Sequence, residues 1–263
     1  MFKKILMITL LIGAVGALVF GAILRTDATN SRSVEAASSL GNGNGRGGNG
    51  QSGNSQGSQN GAVAHNEDLS VLPAASASLS SAESDALAYM REEEKLAHDV
   101  YMTLYDQWHL PVFQNIANSE QTHTEAVRTL LDRYRVPDPA SVEVGVFTDQ
   151  TLQGLYNQLV QQGSQSLAEA LKVGATIEEI DILDLEERLA QTEKADIILV
   201  YDNLMKGSRN HLRAFVSTLQ TQSGETYQPQ YLSPDAYQAI IGAPIESGGR
   251  GNPGGKGPRN GRP

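Results

Sequence analysis

The sequence predicts an all-α protein in which four long helices pack together and a long crossover joins the second to the third. Three observations carry that expectation. Apolar residues recur at spacings of three and four over segments longer than 20 residues, the signature of a helix with one buried stripe. Capping residues and prolines bound those segments. No run of alternating β-branched residues is long enough to form a sheet.

The first helix opens at Ser80-Ser81-Ala82-Glu83, which has capping-box spacing, and runs to about Trp108, ahead of Pro111. The second spans about Val112 to Arg135 and stops at Val136-Pro137, because the residue before a proline is pushed out of the helical region. A connection of about 28 residues follows, with a short helical stretch near Leu152 to Gln162. Adjacent antiparallel helices do not need such length, but it suffices to return the chain so that the third helix starts parallel to the second. That helix opens at Ser166-Leu167-Ala168-Glu169, a second capping box, and reaches about Ala190. Thr192 is the expected cap of the fourth, which ends near Gln222, before Gly224.

The 263 residues are not all available to a core. Residues 1–28 read as a signal peptide or an N-terminal membrane anchor: Lys3 and Lys4 precede Ile5 to Leu24, an uncharged stretch long enough to span a bilayer. Val15-Gly16-Ala17 and Thr26-Asp27-Ala28 are the candidate cleavage sites. Either reading exports the rest of the chain, to be secreted or held at the cell envelope. Residues 29–78 form a Gly/Asn/Ser/Gln-rich tether, including GNGNGRGGNG at 41–50, with too few apolar side chains to offset the entropy of ordering. The helical domain is expected at 79–242, and a disordered Gly/Pro/Arg-rich tail at 243–263.

Charge and cysteine content remove several function classes. From Glu67 to Gly242 there are 27 acidic and 11 basic residues, a net charge of −16 that repels nucleic acid. With no cysteine in the chain, thiolate metal sites, iron–sulfur clusters and cysteine nucleophiles are excluded. No phosphate-binding glycine loop lies between a strand and a helix. Ser208 stands three residues before His211, but without a nucleophile elbow or an orienting acid an acyl-transfer site is a poor reading.

The apolar stripes are interrupted at their midpoints by polar residues. In the first helix the stripe Leu87, Met90, Glu94, Ala97, Tyr101, Leu104 has a carboxylate at its centre. The second gives Phe113, Ile116, Glu120, His123, Val127, Leu130, Tyr134, and the third gives Leu167, Leu171, Gly174, Glu178, Asp181, Leu185. The fourth gives Ile197, Tyr201, Leu204, Ser208, His211, Phe215. Glu94, Glu120, His123, Glu178, Asp181 and His211 are thus aimed at one level of the core. Burying ionised carboxylates without partners is too costly to be casual, and carboxylate with imidazole suits iron, manganese or zinc.

The known template for two metals in a helix bundle takes one Glu from each of two helices and Glu-x-x-His from each of the other two. Glu120-Gln121-Thr122-His123 matches in full, whereas the fourth helix has Ser208-Arg209-Asn210-His211 and lacks its acid. Asp181, one turn from Glu178, restores the charge from the neighbouring helix if it points inward; otherwise a one-metal site is expected. Glu93 competes with Glu94, and Glu179 with Glu178. Acidic runs such as Glu92-Glu93-Glu94 are usually solvated faces, with Glu94 alone in register with the seam. Tyr101 could hydrogen-bond a ligand or pack in the core with a satisfied hydroxyl; Ser208 and Tyr101 are supporting residues. Arg209 and Arg213 suit pairing with surplus acids. His98 and His109 read as surface or packing residues, and His65 lies in the tether.

Three segments carry a resemblance: Tyr89-Met90-Arg91-Glu92-Glu93-Glu94-Lys95-Leu96-Ala97, Asn118-Ser119-Glu120-Gln121-Thr122-His123, and Gly207-Ser208-Arg209-Asn210-His211-Leu212-Arg213-Ala214-Phe215. They resemble the ferritin-like family known as domain of unknown function 2202. The similarity covers most of about Leu79 to Ile241, including Ser166 to Ala175 and Tyr227 to Leu232. It implies a ferritin-like four-helix bundle with a metal centre, and no particular reaction. Two functions are therefore expected. One is an exported di-iron or di-manganese protein reacting with dioxygen, peroxide or ferrous iron. The other is a non-enzymatic cell-envelope binding module with a structural or vestigial metal site. Expected partners are dioxygen or peroxide, the membrane where the N-terminal segment is retained, and further copies of the chain.

Overall fold

The computed structural model describes residues 72–73 and 78–246. The expected signal or anchor segment, most of the expected tether and the expected tail from Ser247 lie outside the described residues. Among those described there are α-helices and no strand, and no helix is long and apolar enough to cross a membrane. The helices are α1 (Ser81–Trp108), α2 (Pro111–Tyr134), α3 (Gln150–Gly163), α4 (Leu167–Leu189), α5 (Ala195–Ser223) and α6 (Pro234–Gly242).

Local chemistry explains where they begin and end. Ser80 and Glu83 form the reciprocal capping box expected of α1, with Ser80 N–H donating to Glu83 Oε2 at 2.8 Å and Glu83 N–H to Ser80 Oγ at 3.2 Å. Pro111 occupies the first turn of α2, where a missing N–H costs nothing. Asp149 caps α3 and Ser166 caps α4 through backbone N–H groups of their first turns. Gly224 ends α5 in the left-handed region at φ 73°.

Thr192 does not cap α5. The N-cap is Lys194, without a side-chain bond, and Thr192 Oγ1 accepts from Lys194 N–H and donates to Glu83 Oε1 at 3.2 Å. Thr192 thus ties the α4–α5 turn to the start of α1, a tertiary use that its spacing did not reveal. The nine-residue helix α6 was not anticipated either; it buries only Tyr237, too little for a periodic stripe.

Pairwise contacts fix the directions. Glu94 meets His123, and only two residues separate the end of α1 from the start of α2, so the two helices are antiparallel. Tyr89 lies under Arg188 while Tyr101 reaches Glu178, so α1 and α4 are antiparallel. Tyr134 donates to Asp196 and Phe113 packs on Phe215, so α2 and α5 are antiparallel. It follows that α4 runs parallel to α2, as the length of the crossover requires. Helix α3 packs on both α1 and α4 and covers the groove between them.

The charged run of α1 is buried, contrary to the expectation of a solvated face. Glu92 and Glu93 are buried along with Glu94. The crossover passes over this side of α1, and its backbone groups need partners. Glu92 accepts from Thr148 N–H at 2.6 Å and Asp149 N–H at 2.9 Å. Lys95 donates to Glu143 O at 2.9 Å and lies 4.5 Å from the centre of the Phe147 ring. Arg91 pairs with Asp138 at 3.1 Å.

Ordered structure also extends past both expected domain limits. Leu72 packs against the core and Arg133 donates to Pro73 O, while Arg209 and Arg213 hold Glu246 at 2.5 and 3.0 Å. Apolar layers lie on either side of the polar level. Leu87, Leu130, Leu185 and Leu204 belong to one, and Tyr101, Phe113 and Phe215 stack in the other. Each such side chain contributes about 1.5–3 kcal/mol, which offsets the cost of the polar layer between them.

Candidate metal centre

Five side chains from four helices converge between those layers: Glu94 from α1, Glu120 and His123 from α2, Glu178 from α4 and His211 from α5. Each is 2 % exposed or less. Glu120 and His123 share a face because residues three apart on a helix do. Glu120 stands between the two imidazoles, with Oε2 2.8 Å from His123 Nδ1 and Oε1 2.7 Å from His211 Nδ1. Glu94 Oε2 lies 3.3 Å from His123 Nδ1, and Glu178 Oε2 lies 3.6 Å from His211 Nδ1. The rings are stacked with centroids 5.6 Å apart. These residues form two triads, Glu94–Glu120–His123 and Glu120–Glu178–His211, each with its donor atoms within 4.8 Å of one another. Glu120 belongs to both.

Proximity here is not ordinary hydrogen bonding. Both ring nitrogens of His123 and of His211, together with Glu94 Oε1 and Glu120 Oε1, are buried without a hydrogen-bond partner among the described residues. The carboxylate oxygens lie off the directions in which ring N–H groups would point. Unsatisfied buried polar atoms call for an explanation, and convergent nitrogen and oxygen donors fit a divalent cation. Among the described residues, the donor set suits the metals expected from the sequence.

Asp181 belongs to neither triad. It lines the same small cavity as Glu94, Glu120 and Glu178, with Oδ1 unpartnered and Oδ2 accepting from Ser208 Oγ. The serine that stands where the template has an acid therefore holds the neighbouring helix's acid. Tyr101 packs in the core with its hydroxyl satisfied. Its hydroxyl donates to Glu178 Oε1 at 2.6 Å, and its ring packs on Phe215 with centroids 5.1 Å apart. The cavity, about 10 Å³ and so room for one water-sized molecule, is closed on the crossover side by Leu96, Leu152, Leu155 and Ile177.

The competing acids separate cleanly. Glu178 faces the imidazoles, while Glu179 turns the other way and accepts from Tyr227 Oη at 2.6 Å and from the N–H groups of Gln230, Tyr231 and Leu232. Glu93 lines the cavity but joins neither triad. His98 pairs with Asp99 at 2.9 Å, and His109 is the left-handed C-cap of α1. Gly207 escaped the sequence reading. A Cβ built there would stand 2.4 Å from His123 Cε1, so only glycine lets α5 approach the imidazole so closely. A glycine in a helix interior, which costs about 1 kcal/mol relative to alanine, was the available signal.

The electrostatics of the metal-free cluster are mutually dependent. Burial pushes Glu94 up to about 7, against the pull of His123. Burial also raises Glu178, reinforced by the charge of Glu120, and raises Asp181 well above its usual range, reinforced by Glu94. Glu120 goes the other way: burial opposes its charge, but His211 and His123 outweigh it and hold the carboxyl well below the ordinary range. Burial opposes the imidazolium of His211 too, yet Glu120 and Glu178 raise it to about 9.

A pH dependence follows. Glu94 and His211 both bind protons more tightly folded than unfolded. Their contribution is complete below the unfolded values of 4.5 and 6.5 and is lost as pH rises through about 7 and about 9. Thermal unfolding in the presence of a chelator is therefore expected to show stability falling between pH 5 and 9. A metal ion displaces the same protons, so its stabilising effect is expected to grow over that range. A flat profile with and without metal would contradict both statements.

A family profile described as "Uncharacterized protein domain (DUF2202)" matches residues 83–244. The chain is 52 % identical over 171 residues to uncharacterized protein MJ0754 of Methanocaldococcus jannaschii, an alignment covering 65 % of this chain and 92 % of that relative. It is also similar to the crystal structure of hypothetical protein MJ0754 from Methanococcus jannaschii DSM 2661, with a TM-score of 0.63 and 51 % identity, covering 65 % of this chain and 98 % of that one.

Proposed function

We propose that this chain, which belongs to the DUF2202 family of uncharacterized domains, is an exported ferritin-like metalloprotein whose four-helix bundle holds a pair of divalent metal ions. Iron is the first candidate, with manganese or zinc as alternatives. The reading rests on one observation above all: two buried Glu/His triads share Glu120, and their ring nitrogens have no hydrogen-bond partner among the described residues.

Each residue has a definite part in this reading. Glu120 serves both positions, one oxygen toward each imidazole. Glu94 and His123 complete one position, and Glu178 and His211 the other. Tyr101 fixes the rotamer of Glu178 by donating to its other oxygen. Ser208 orients Asp181 close to where the missing fourth-helix carboxylate would project, and the two divalent charges are balanced by Glu94, Glu120, Glu178 and Asp181. The aliphatic wall of Leu96, Leu152 and Leu155 keeps bulk water from the cluster. When bound, an iron or manganese pair would supply Lewis acidity and electrons for the reduction of dioxygen or peroxide, with ferrous iron as the electron donor where it is the substrate. The N-terminal apolar segment supports a location outside the cytoplasm, secreted or anchored at the envelope.

A second reading, a non-enzymatic envelope module with a structural or vestigial metal, is favoured by the serine at position 208. Elemental analysis of the full-length chain after reconstitution with Fe(II), Mn(II) or Zn(II), followed by oxygen and peroxide consumption assays, separates the two. About two equivalents are expected, with consumption of the oxidant by the iron or manganese form. Bound metal without consumption supports the second reading; no bound metal in a folded protein overturns the metal centre.

A further inference from the structure

Away from the metal layer, a cavity of about 50 Å³ lies where α1 and α5 begin and α4 ends, bounded by Ser80, Glu83, Arg188, Thr192, Ile197 and Tyr201. That is room for several waters or one small ion. Arg188 is 4 % exposed and Tyr201 is 2 % exposed. Arg188 Nε and the Tyr201 hydroxyl have no hydrogen-bond partner among the described residues. The Arg188 guanidinium lies over the ring of Tyr89, 4.7 Å from the centroid.

The acids nearby do not neutralise it. Glu83 is already engaged, with Oε2 accepting from Ser80 N–H at 2.8 Å and Oε1 facing Thr192 Oγ1 at 3.2 Å and Lys194 Nζ at 3.6 Å. Glu93 acts on Arg188 through its field, but the guanidinium forms no ion pair with it or with Asp184 among the described residues. The carbonyl end of α4 offsets part of the charge, since Arg188 is in its last turn. Against that, α1 and α5 direct their positive N-terminal ends to this region. A buried cation without a paired counter-ion is costly, and the two unpartnered side-chain atoms on the cavity wall, Arg188 Nε and the Tyr201 hydroxyl, can both donate.

We propose that this cavity binds a small oxoanion, of phosphate or carbonate size, held by the Arg188 guanidinium with the Tyr201 hydroxyl as a second donor. The site is spatially separate from the proposed metal pair: no residue of either Glu/His triad lines this cavity.

Calorimetric titration of the full-length, metal-free chain with inorganic phosphate, and separately with bicarbonate, at constant ionic strength against chloride tests this. Saturable binding of at least one anion at one site is expected, weakened at least about tenfold by Arg188→Gln and about three- to tenfold by Tyr201→Phe, since charge-assisted bonds are the stronger ones. If Arg188→Gln fails to fold, Tyr201→Phe, which keeps the ring, decides alone. No saturable binding of either anion to the wild type overturns the proposal, as does affinity unchanged in the folded variants; a cavity filled by water alone gives the first result.

Discussion

Replacing Glu120 by alanine is expected to abolish metal binding at both positions, whereas Glu94→Ala is expected to spare one. Glu120 is common to the two triads, so its loss removes a donor from each, with an expected fall in affinity of at least about 10²-fold, the upper range seen even for residues one step removed from a metal. Glu94 belongs to one triad only, and its variant should retain about one equivalent. The contrast is the diagnostic: equal losses in the two variants would mean that Glu120 is not shared. Stability should respond as well. In the metal-free chain Glu120 is the main counter-charge for both imidazoles, and deleting one partner of a buried pair costs about 3–5 kcal/mol. Glu120→Gln keeps the shape and removes the charge, which separates packing from electrostatics. Elemental analysis and urea unfolding read both effects.

Glu179→Ala is expected to be among the most destabilising single changes in α4, about 3–5 kcal/mol by urea unfolding. Its carboxylate is 0 % exposed and gathers the Tyr227 hydroxyl with the backbone N–H groups of Gln230, Tyr231 and Leu232. These fasten the segment after α5 to α4. Alanine leaves three buried or half-buried N–H groups and a buried phenol without their acceptor. Proteolysis is expected to move to the segment after Gly224, while metal binding by the neighbouring Glu178 persists. A cost below about 1 kcal/mol would show that the segment is held by its apolar contacts, such as Tyr227, Leu232 and Tyr237, rather than by the carboxylate.

The two acids at 178 and 179 illustrate what spacing can and cannot resolve. Residues adjacent on a helix point about 100° apart, so periodicity assigned Glu178 to the core seam and left Glu179 only as its competitor. The loop that gives Glu179 its role comes from more than 45 residues further along the chain. Glu92 behaves the same way. Its helical position suggested a solvated face, and only the crossover passing over α1 supplied the N–H groups that bury it. Gly207 was legible in principle, but its reason, the ring of His123 on another helix, was not.

Asp181 marks the boundary most clearly. Its register placed it at the polar level, and the absence of an acid three residues before His211 was plain in the sequence. Whether it would join a triad or pair with Ser208 depends on the relative height of α4 and α5, and the structure pairs it with Ser208. The sequence by itself determined the all-α class, the long helices, most of their caps, and the residues that meet at one level, because these follow from hydrogen bonds within a turn and from the 3.6-residue period. Tertiary structure alone decided that Glu120 is shared, that Glu92 and Glu93 are buried, that Thr192 spans two helices rather than capping one, and that Arg188 faces a cavity with no ion-pair partner among the described residues. Such outcomes depend on distances between segments remote in the chain, and those are set by packing, which no local pattern encodes.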